Sequence, residues 1–223
     1  IPCYNEIKTI KIVIDRVKKN INKEDNIVIV DDCSTDGTKQ YLQTIKESNI
    51  IVKFHDKNFG KGQAIQTGLN SELKEIIIIQ DADLEYNPSD YIFLIKPYQE
   101  TDADIVYGSR FIGTNNYVRV HLFWHYVANK ILTFISNVFT NLNMTDMETG
   151  YKSFKKNVIK SIILKEKSFG IEPEITIKLA KKKFKFYEVP ISYAGRSYSE
   201  GKKIGLKDAF RAIYCIFKYS LVD

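Results

Sequence analysis

Ile27-Val28-Ile29-Val30-Asp31-Asp32-Cys33-Ser34-Thr35-Asp36-Gly37-Thr38 is the stretch that decides the fold. Four β-branched residues in a row form a short strand buried on both faces, and the run stops on two carboxylates. A polar helix opens behind it, from about Asp36. Reading outward, Ile7, Ile10, Ile14 and Val17 recur at helical spacing upstream. The chain opens Ile1-Pro2-Cys3-Tyr4 without an initiator Met, which predicts a clipped first strand followed by Tyr4-Asn5-Glu6. Downstream come a strand over Ile50 to Phe54, a helix from about Lys61, a strand from Ile76 to Gln80, a helix around Tyr91 to Ile95 and a strand from Asp104 to Tyr107. This alternation predicts an α/β fold whose mostly parallel sheet carries helices on both faces, with ligands at the carboxyl ends of the strands. The polar clusters Tyr4-Asn5-Glu6, Asp31 to Thr38 and Asp81-Ala82-Asp83 fall at those ends.

Beyond residue 110 the alternation lapses. His121 to Leu142 reads as a long aromatic-rich helix, Thr149 to Phe154 as a short strand, and Pro173 to Lys183 as a helix with proline in its first turn. Phe184 to Tyr193 reads as a strand and Leu206 to Leu221 as a final helix. Residues 1–223 are expected to form one domain, with a nucleotide-type half over about 1–110 and an elaborated acceptor-side half over about 111–223.

The chain has 223 residues, 44% of them apolar and 27% charged, enough for a sizeable core and unlike a disordered chain. Its formal charge is 33 − 27 = +6, a mild excess that suits phosphate-bearing ligands or an anionic surface without implying nucleic acid. Cys3, Cys33 and Cys215 are odd in number and lack CxxC spacing, so neither a disulfide framework nor a cysteine zinc site is expected and a reducing, cytoplasmic location fits. No apolar run reaches the roughly 18 residues a membrane span needs.

Asp81-Ala82-Asp83 is the sharpest chemical signal. Two carboxylates two residues apart share one side of an extended strand and can hold a hard divalent cation that bridges two phosphates, with Glu85 completing the set. The bland alternative, an acidic turn opening a helix, is disfavoured directly after a buried run, where bare charge is costly. Asp32 is read as a ribose or base contact, whereas Asp36 suits a helix cap and Gly37 a tight turn. Asn58 to Ala64 lacks GxxxxGK[ST] spacing, so its glycines suit close packing as well as phosphate approach. Arg110 and Arg196 are candidate phosphate forks, with Arg119, Lys202 and Lys203 also in polar segments. Glu172 and Glu174 bracket Pro173, either capping a helix or, in a cleft, offering a base to an acceptor hydroxyl. His121 and His125 stand i, i+4 without an evident third ligand. Leu206, Phe210, Ile213, Phe217 and Leu221 form a helical stripe, expected to be core, with an interfacial membrane helix as the alternative. The helix holding Phe123, Trp124, Tyr126, Phe134 and Phe139 admits the same two readings.

Pro2-Cys3-Tyr4-Asn5-Glu6, Asp31 to Thr38, Gln80-Asp81-Ala82-Asp83-Leu84-Glu85, Gly108-Ser109-Arg110-Phe111, Asp146 to Lys152 and Arg196…Gly201-Lys202-Lys203 together resemble family 2 glycosyltransferases of the GT-A fold, closest to the dolichyl- or polyprenyl-phosphate sugar transferases. The resemblance implies that Pro2, Tyr4, Glu6 and Asp32 hold the nucleotide, that Asp81 and Asp83 hold the metal-diphosphate with Ala82 between them against the nucleotide sugar, and that Arg110, Arg196 and Lys202 handle phosphates. Glu85 stands where that branch commonly has Gln, and Tyr86-Asn87-Pro88 where it often has His-Pro-Pro. The same resemblance implies an inverting transfer dependent on Mg²⁺ or Mn²⁺, from a GDP-mannose or UDP-glucose type donor to a polyprenyl phosphate, by a protein peripheral to the cytoplasmic membrane face. Asp83, Arg110 and Glu172 are the candidate catalytic residues. A glycan hydroxyl acceptor is the alternative, with Glu172 as base. A sugar-nucleotide pyrophosphorylase would carry a glycine-rich basic loop where Asn5-Glu6 stands.

Overall fold

The computed structural model describes residues 1–71, 73–113, 122–196 and 205–222. Strands β1 (Pro2–Cys3), β2 (Ile27–Asp31) and β3 (Ile50–Phe54) form a parallel sheet in the order β1-β2-β3, with Pro2 opposite Val30 and Val28 opposite Ile51. Helix α1 (Ile10–Lys18) buries Ile10, Val13, Ile14 and Val17, the face that helical spacing marks out. The short α2 (Thr38–Gln43) and α3 (Lys61–Leu69) follow β2 and β3. Gly37 and Gly60, both with left-handed φ near 100°, make the turns into these helices.

The second sheet corrects the expectation of a simple parallel continuation. It runs β4 (Ile76–Ile78), β6 (Lys152–Lys155), β5 (Ile105–Ser109), β7 (Phe186–Pro190) in that order. β6 is antiparallel to both neighbours, while β5 and β7 are parallel. The chain comes back from the long helix α5 (Phe123–Thr140) on the side where β4 and β5 end, so β6 starts there and runs the other way. A parallel β6 would have begun at the far end. The reversal brings the segment 145–151 to the ends of β4 and β5.

A 3₁₀ turn over Pro88–Asp90 leads into α4 (Tyr91–Glu100), and α6 (Lys156–Lys160) follows β6. Helix α7 (Ile171–Lys181) carries Pro173 in its first turn, as expected, and α8 (Leu206–Leu221) closes the described chain. Leu132, Met147, Ile177, Ala212, Cys215, Ile216 and Tyr219 form the core shared by α5, α7 and α8. That core overturns the expected register of α8, because Phe210, Phe217 and Leu221 are exposed. The buried face of α8 is Ala212, Cys215, Ile216 and Tyr219, and it leaves the expected stripe on the outside. The three cysteines form no disulfide.

Glu166, buried just ahead of α7, accepts hydrogen bonds from Arg211, Lys218 and Tyr219 and so fastens α8 to the body. Burial pushes its carboxyl up, yet these three donors hold it at about 2 against an ordinary 4.5. A carboxyl depressed in the folded state stabilises above its unfolded value and loses that contribution as pH falls towards the folded one. Glu166→Gln should therefore cost about 1–3 kcal/mol in urea unfolding near neutral pH. The gap from wild type should close between about pH 4.5 and pH 2; an equal gap at both ends would show that charge is not the cause.

Candidate active site

The loops after β1 and β2 are sewn together by hydrogen bonds. Asn5 N–H donates to Ser34 Oγ (2.9 Å), Thr35 N–H to Asn5 Oδ1 (2.8 Å), Glu6 N–H to Thr38 Oγ1 (3.0 Å) and Ile7 N–H to Asp36 Oδ2 (3.1 Å). Asp36 also accepts from Thr38 N–H at 3.0 Å, but the N-cap position of α2 falls to Gly37, so Asp36 closes the turn one residue ahead of the cap expected of it. Asp32 organises the third loop. Its carboxylate accepts from Phe59 N–H (2.9 Å) and Gly60 N–H (2.7 Å) and lies 2.7 Å from His55 Nδ1. The glycines before α3 serve packing, since a Cβ at Gly60 or Gly62 would run into the backbone carbonyls of Lys167 and Glu166.

These loops, the end of β4 and the N-termini of α5, α7 and α8 enclose a cavity of about 540 Å³. Pro2, Tyr4, Glu6, Asp32, Asp81, Ala82, Asp83, Glu85, Arg110, Glu172 and Arg196 all line it. The structure thus brings together every expected site residue among those described. Lys202 lies outside the described residues, as do Arg119, His121 and Lys203.

The acidic motif is arranged differently from an extended strand. β4 stops at Ile78 and residues 82–85 bend, with Leu84 in the left-handed region (φ 62°). The two aspartates consequently take separate cationic partners. Lys61 Nζ lies 2.9 Å from Asp81 and 2.9 Å from Glu172, and Arg196 Nη2 lies 2.8 Å from Asp83. Glu85 accepts from Tyr193 OH (2.6 Å) and Arg196 N–H (2.8 Å), so its carboxylate holds the chain on which Arg196 sits. Among the described residues no three acidic, histidine or cysteine side chains converge into a ready-made metal cage. Burial, with the charges of Asp81 and Glu85, pushes Asp83 up to about 7 even against Arg196.

Arg110, at the end of β5, gives Nε and Nη2 to Asp146 at 2.7 Å each, and its guanidinium lies over the Phe111 and Tyr193 rings. The acidic pair on α7 divides its work. Glu174 accepts Lys165 N–H (2.8 Å) and Glu166 N–H (2.7 Å) and pairs with Lys178, while Glu172 borders the cavity and keeps a buried Oε2 without a partner. Beside it stands Glu148, delivered by the reversed β6, with Oε1 also buried and unpartnered. Burial and the charge of Glu172 push Glu148 up to about 8, and burial draws the neighbouring Lys152 down to about 8.

Residues 1–163 match the sequence profile described as Glycosyl transferase family 2. The chain belongs to that family. It is 29% identical to the UDP-N-acetylglucosamine–dolichyl-phosphate N-acetylglucosaminyltransferase of Methanococcus voltae, over 96% of this chain and 92% of the relative. It is 26% identical to the undecaprenyl-phosphate mannosyltransferase of Micrococcus luteus, over 92% and 86%. In structure it resembles glucosyl-3-phosphoglycerate synthase from Mycobacterium tuberculosis, solved in complex with Mn²⁺, uridine diphosphate and phosphoglyceric acid. The TM-score is 0.76 at 17% identity, over 100% of this chain and 77% of the other. The transferase accordingly has the GT-A fold.

Three charged cavity residues, Lys61, Glu148 and Asp208, are not legible as such in the sequence. Lys61 sits among glycines that suit packing, and Glu148 lies in a quoted motif that gives it no role. The signal at Lys61 is a basic residue at a helix start behind Gly60. Glu148 carries none without the direction of β6. In the glycosyltransferase, eight carboxylates (Glu6, Asp32, Asp81, Asp83, Glu85, Glu148, Glu172 and Asp208) line the cavity against Lys61, Arg110 and Arg196, counted among the described residues. The Asp81 carboxylate is held from behind by Gly150, where a Cβ would collide with Asp81 Oδ2. Gly150→Ala should displace that carboxylate and lower turnover on the order of 100-fold with circular dichroism unchanged. Wild-type rates would show that the position of Asp81 is immaterial.

Proposed function

We propose that the transferase moves a sugar from a nucleoside-diphosphate sugar, of the GDP-mannose or UDP-glucose type, to a polyprenyl phosphate, with inversion at the anomeric carbon. The observation that carries this reading is the excess, among the described residues, of carboxylates over cationic side chains in a cavity at strand ends, centred on Asp81 and Asp83. Such an excess in a partly desolvated space calls for an added cation, and two aspartates are hard oxygen donors of the kind Mg²⁺ and Mn²⁺ prefer. The raised proton affinity of Asp83 is a cost that such a cation removes. The activities for which the two lipid-phosphate relatives are named, and the Mn²⁺ and uridine diphosphate of the structural neighbour, support the same choice of ligands.

In this reading Asp81 and Asp83 would hold the cation, which would offset negative charge on the departing diphosphate. Pro2, Tyr4, Glu6, Asp32 and Ala82 border the nucleotide. Lys61 and Arg196, now on Asp81 and Asp83, are set to meet donor phosphate oxygens. Arg110 has given Nε and Nη2 to Asp146, which leaves Nη1 for a phosphate oxygen and keeps the fork rigid. An acceptor phosphate oxygen attacks the anomeric carbon opposite the leaving group; the new C–O bond forms as the bond to the nucleoside diphosphate breaks. A phosphate is already ionised near neutral pH, so this transfer needs no base. The donor machinery falls in residues 1–110 with Arg196 and Lys202 added from the acceptor-side half.

A glycan hydroxyl is the second reading, favoured by Glu172, which lines the cavity and keeps one carboxylate oxygen, Oε2, buried without a partner. A hydroxyl must lose its proton, and a carboxylate can take it.

Incubation with a panel of nucleotide sugars, with and without polyprenyl phosphate, should release free nucleotide at a rate that the lipid raises. Asp83→Ala should abolish that turnover with the fold retained; activity undiminished at saturating Mn²⁺ would remove the metal role. Glu172→Gln separates the acceptors. Near-normal rate is expected for the phosphate, and a loss of roughly 100-fold or more would favour the hydroxyl.

A further inference from the structure

His55 follows β3 directly, and its side chain is 10% exposed. Its N–H donates to Asp31 O at 2.9 Å, and its Nε2 lies 2.9 Å from Thr67 Oγ1 on α3. Its ring meets that of Phe59 edge to face with centroids 5.3 Å apart. The other ring nitrogen, Nδ1, lies 2.7 Å from Asp32 Oδ1. An ionised carboxylate only accepts, so Nδ1 carries the hydrogen and gives it to Asp32. Nothing in the transfer chemistry above calls for a histidine held so firmly.

The acceptor sites of Asp32 show what the histidine does. Each oxygen of an ionised carboxylate offers about two lone-pair sites. Oδ1 takes His55 Nδ1–H and Phe59 N–H (2.9 Å), which fills it, whereas Oδ2 takes only Gly60 N–H (2.7 Å). One site remains, on a carboxylate that lines the cavity with 4% of its side chain exposed. None of the three donors is a lysine or arginine, so the carboxylate still repels phosphate and accepts one N–H or O–H of an uncharged group. Asp81 and Asp83, which the proposed function sets against the diphosphate, follow β4 in the other sheet, so Asp32 lies towards the nucleoside end. An acceptor recessed this far is reached by the flat edge of a base more readily than by a hydroxyl on a puckered ribose.

We infer that His55 sets the nucleobase of the donor: by filling Oδ1 it leaves Asp32 a single acceptor, which takes a base with one N–H on its pairing edge, uracil, and refuses guanine. The inference rests on the reading above in which Asp32 borders the nucleotide, and it narrows the donor to the UDP type. Guanine carries N1–H and N2–H side by side, a pair that a carboxylate with one free site on each oxygen takes as a fork. Against Asp32 its second N–H would meet the filled Oδ1 and lose its bond to water without a replacement. Uracil brings only N3–H, and the free site on Oδ2 accepts it. Without His55, Oδ1 would regain one site and Asp32 would become the fork that guanine fits. His55 is thus a positioning residue that acts through Asp32.

Titration calorimetry of the full chain with Mn²⁺ present reads this choice. UDP should bind about tenfold or more tightly than GDP. The diphosphate of N3-methyluridine, which lacks the N–H, should bind about tenfold or more weakly than UDP. His55→Leu should bring UDP and GDP to within about threefold of each other, and His55→Asn, whose amide can donate where Nδ1 does, should restore the gap. The first two comparisons use the wild type and decide the matter even if His55→Leu does not fold. GDP binding as tightly as UDP would overturn the inference, as would a methylated base that binds like UDP, which would put Asp32 on the ribose. A gap left intact by His55→Leu would do the same, since a histidine that only holds the fold lowers both affinities alike. In each of these cases a nucleoside diphosphate still binds and the donor reading stands. Should neither UDP nor GDP bind, the donor reading falls and the choice of base with it.

Discussion

Crowding carboxylates into one cavity is the constraint around which the rest of the molecule is arranged. Among the described residues eight acidic side chains border it, and taking such charges out of water is expensive unless each finds a partner. The chain meets that demand with few cations placed to serve several acids at once. Lys61 spans Asp81 and Glu172, while Arg196 reaches Asp83 and Glu85 and lies 3.6 Å from Glu6. Each bridge ties elements far apart in sequence, so the charge balance of the site is also its scaffold. Where no cation reaches, proton affinity rises instead, as at Glu148; at Asp83 it rises even beside Arg196.

The contrast with Asp146 shows what a complete partnership does. It is fully buried, and burial alone would raise its proton affinity, yet the Arg110 fork holds it below its ordinary value. Arg110 is in turn flanked by Phe111 and Tyr193, and Tyr193 donates to Glu85. A short chain of contacts thus runs from the end of β5 through an aromatic ring to the acidic motif and to Arg196. The side chains that border the ligand space have their rotamers fixed by neighbours, as preorganised electrostatics requires.

Local pattern made much of this legible. Ile27 to Val30 could only be a buried strand, and the carboxylates at its end and at the end of Ile76 to Ile79 had to lie at one edge of an α/β sheet. The expected site residues among those described share one cavity because strand ends converge wherever neighbouring strands run parallel. Long-range geometry set the features that escaped. The direction of β6 depends on where α5 returns the chain, and no residue of Lys152 to Lys155 encodes it; Glu148 escaped with it. The assumption that Asp81 and Asp83 share one side failed because the strand ends at Ile78, and a bend with Leu84 at positive φ has no period of two. The register of α8 escaped for another reason. A helix with apolar residues on two sides offers two candidate buried faces, and the one that packs on α5 and α7 is Ala212, Cys215, Ile216 and Tyr219.

That decision links the two ends of the molecule's chemistry. Had Phe210, Phe217 and Leu221 turned inward, Ala209 and Ala212 would not border the cavity. By burying Ala212, Cys215, Ile216 and Tyr219, the helix keeps that face against the body and offers Phe210, Phe217 and Leu221 outward. Glu166 fixes this orientation from the loop ahead of α7. The backbone of the same loop meets α3, since Gln66 Nε2 donates to Glu166 O at 2.8 Å and Gln63 N–H to Lys167 O at 3.0 Å. Lys61 opens that helix. The segment 166–168 therefore carries α8 on one side and the lysine of the acidic cavity on the other, so the outward apolar stripe and the inward charge cluster are held in register by one stretch of backbone.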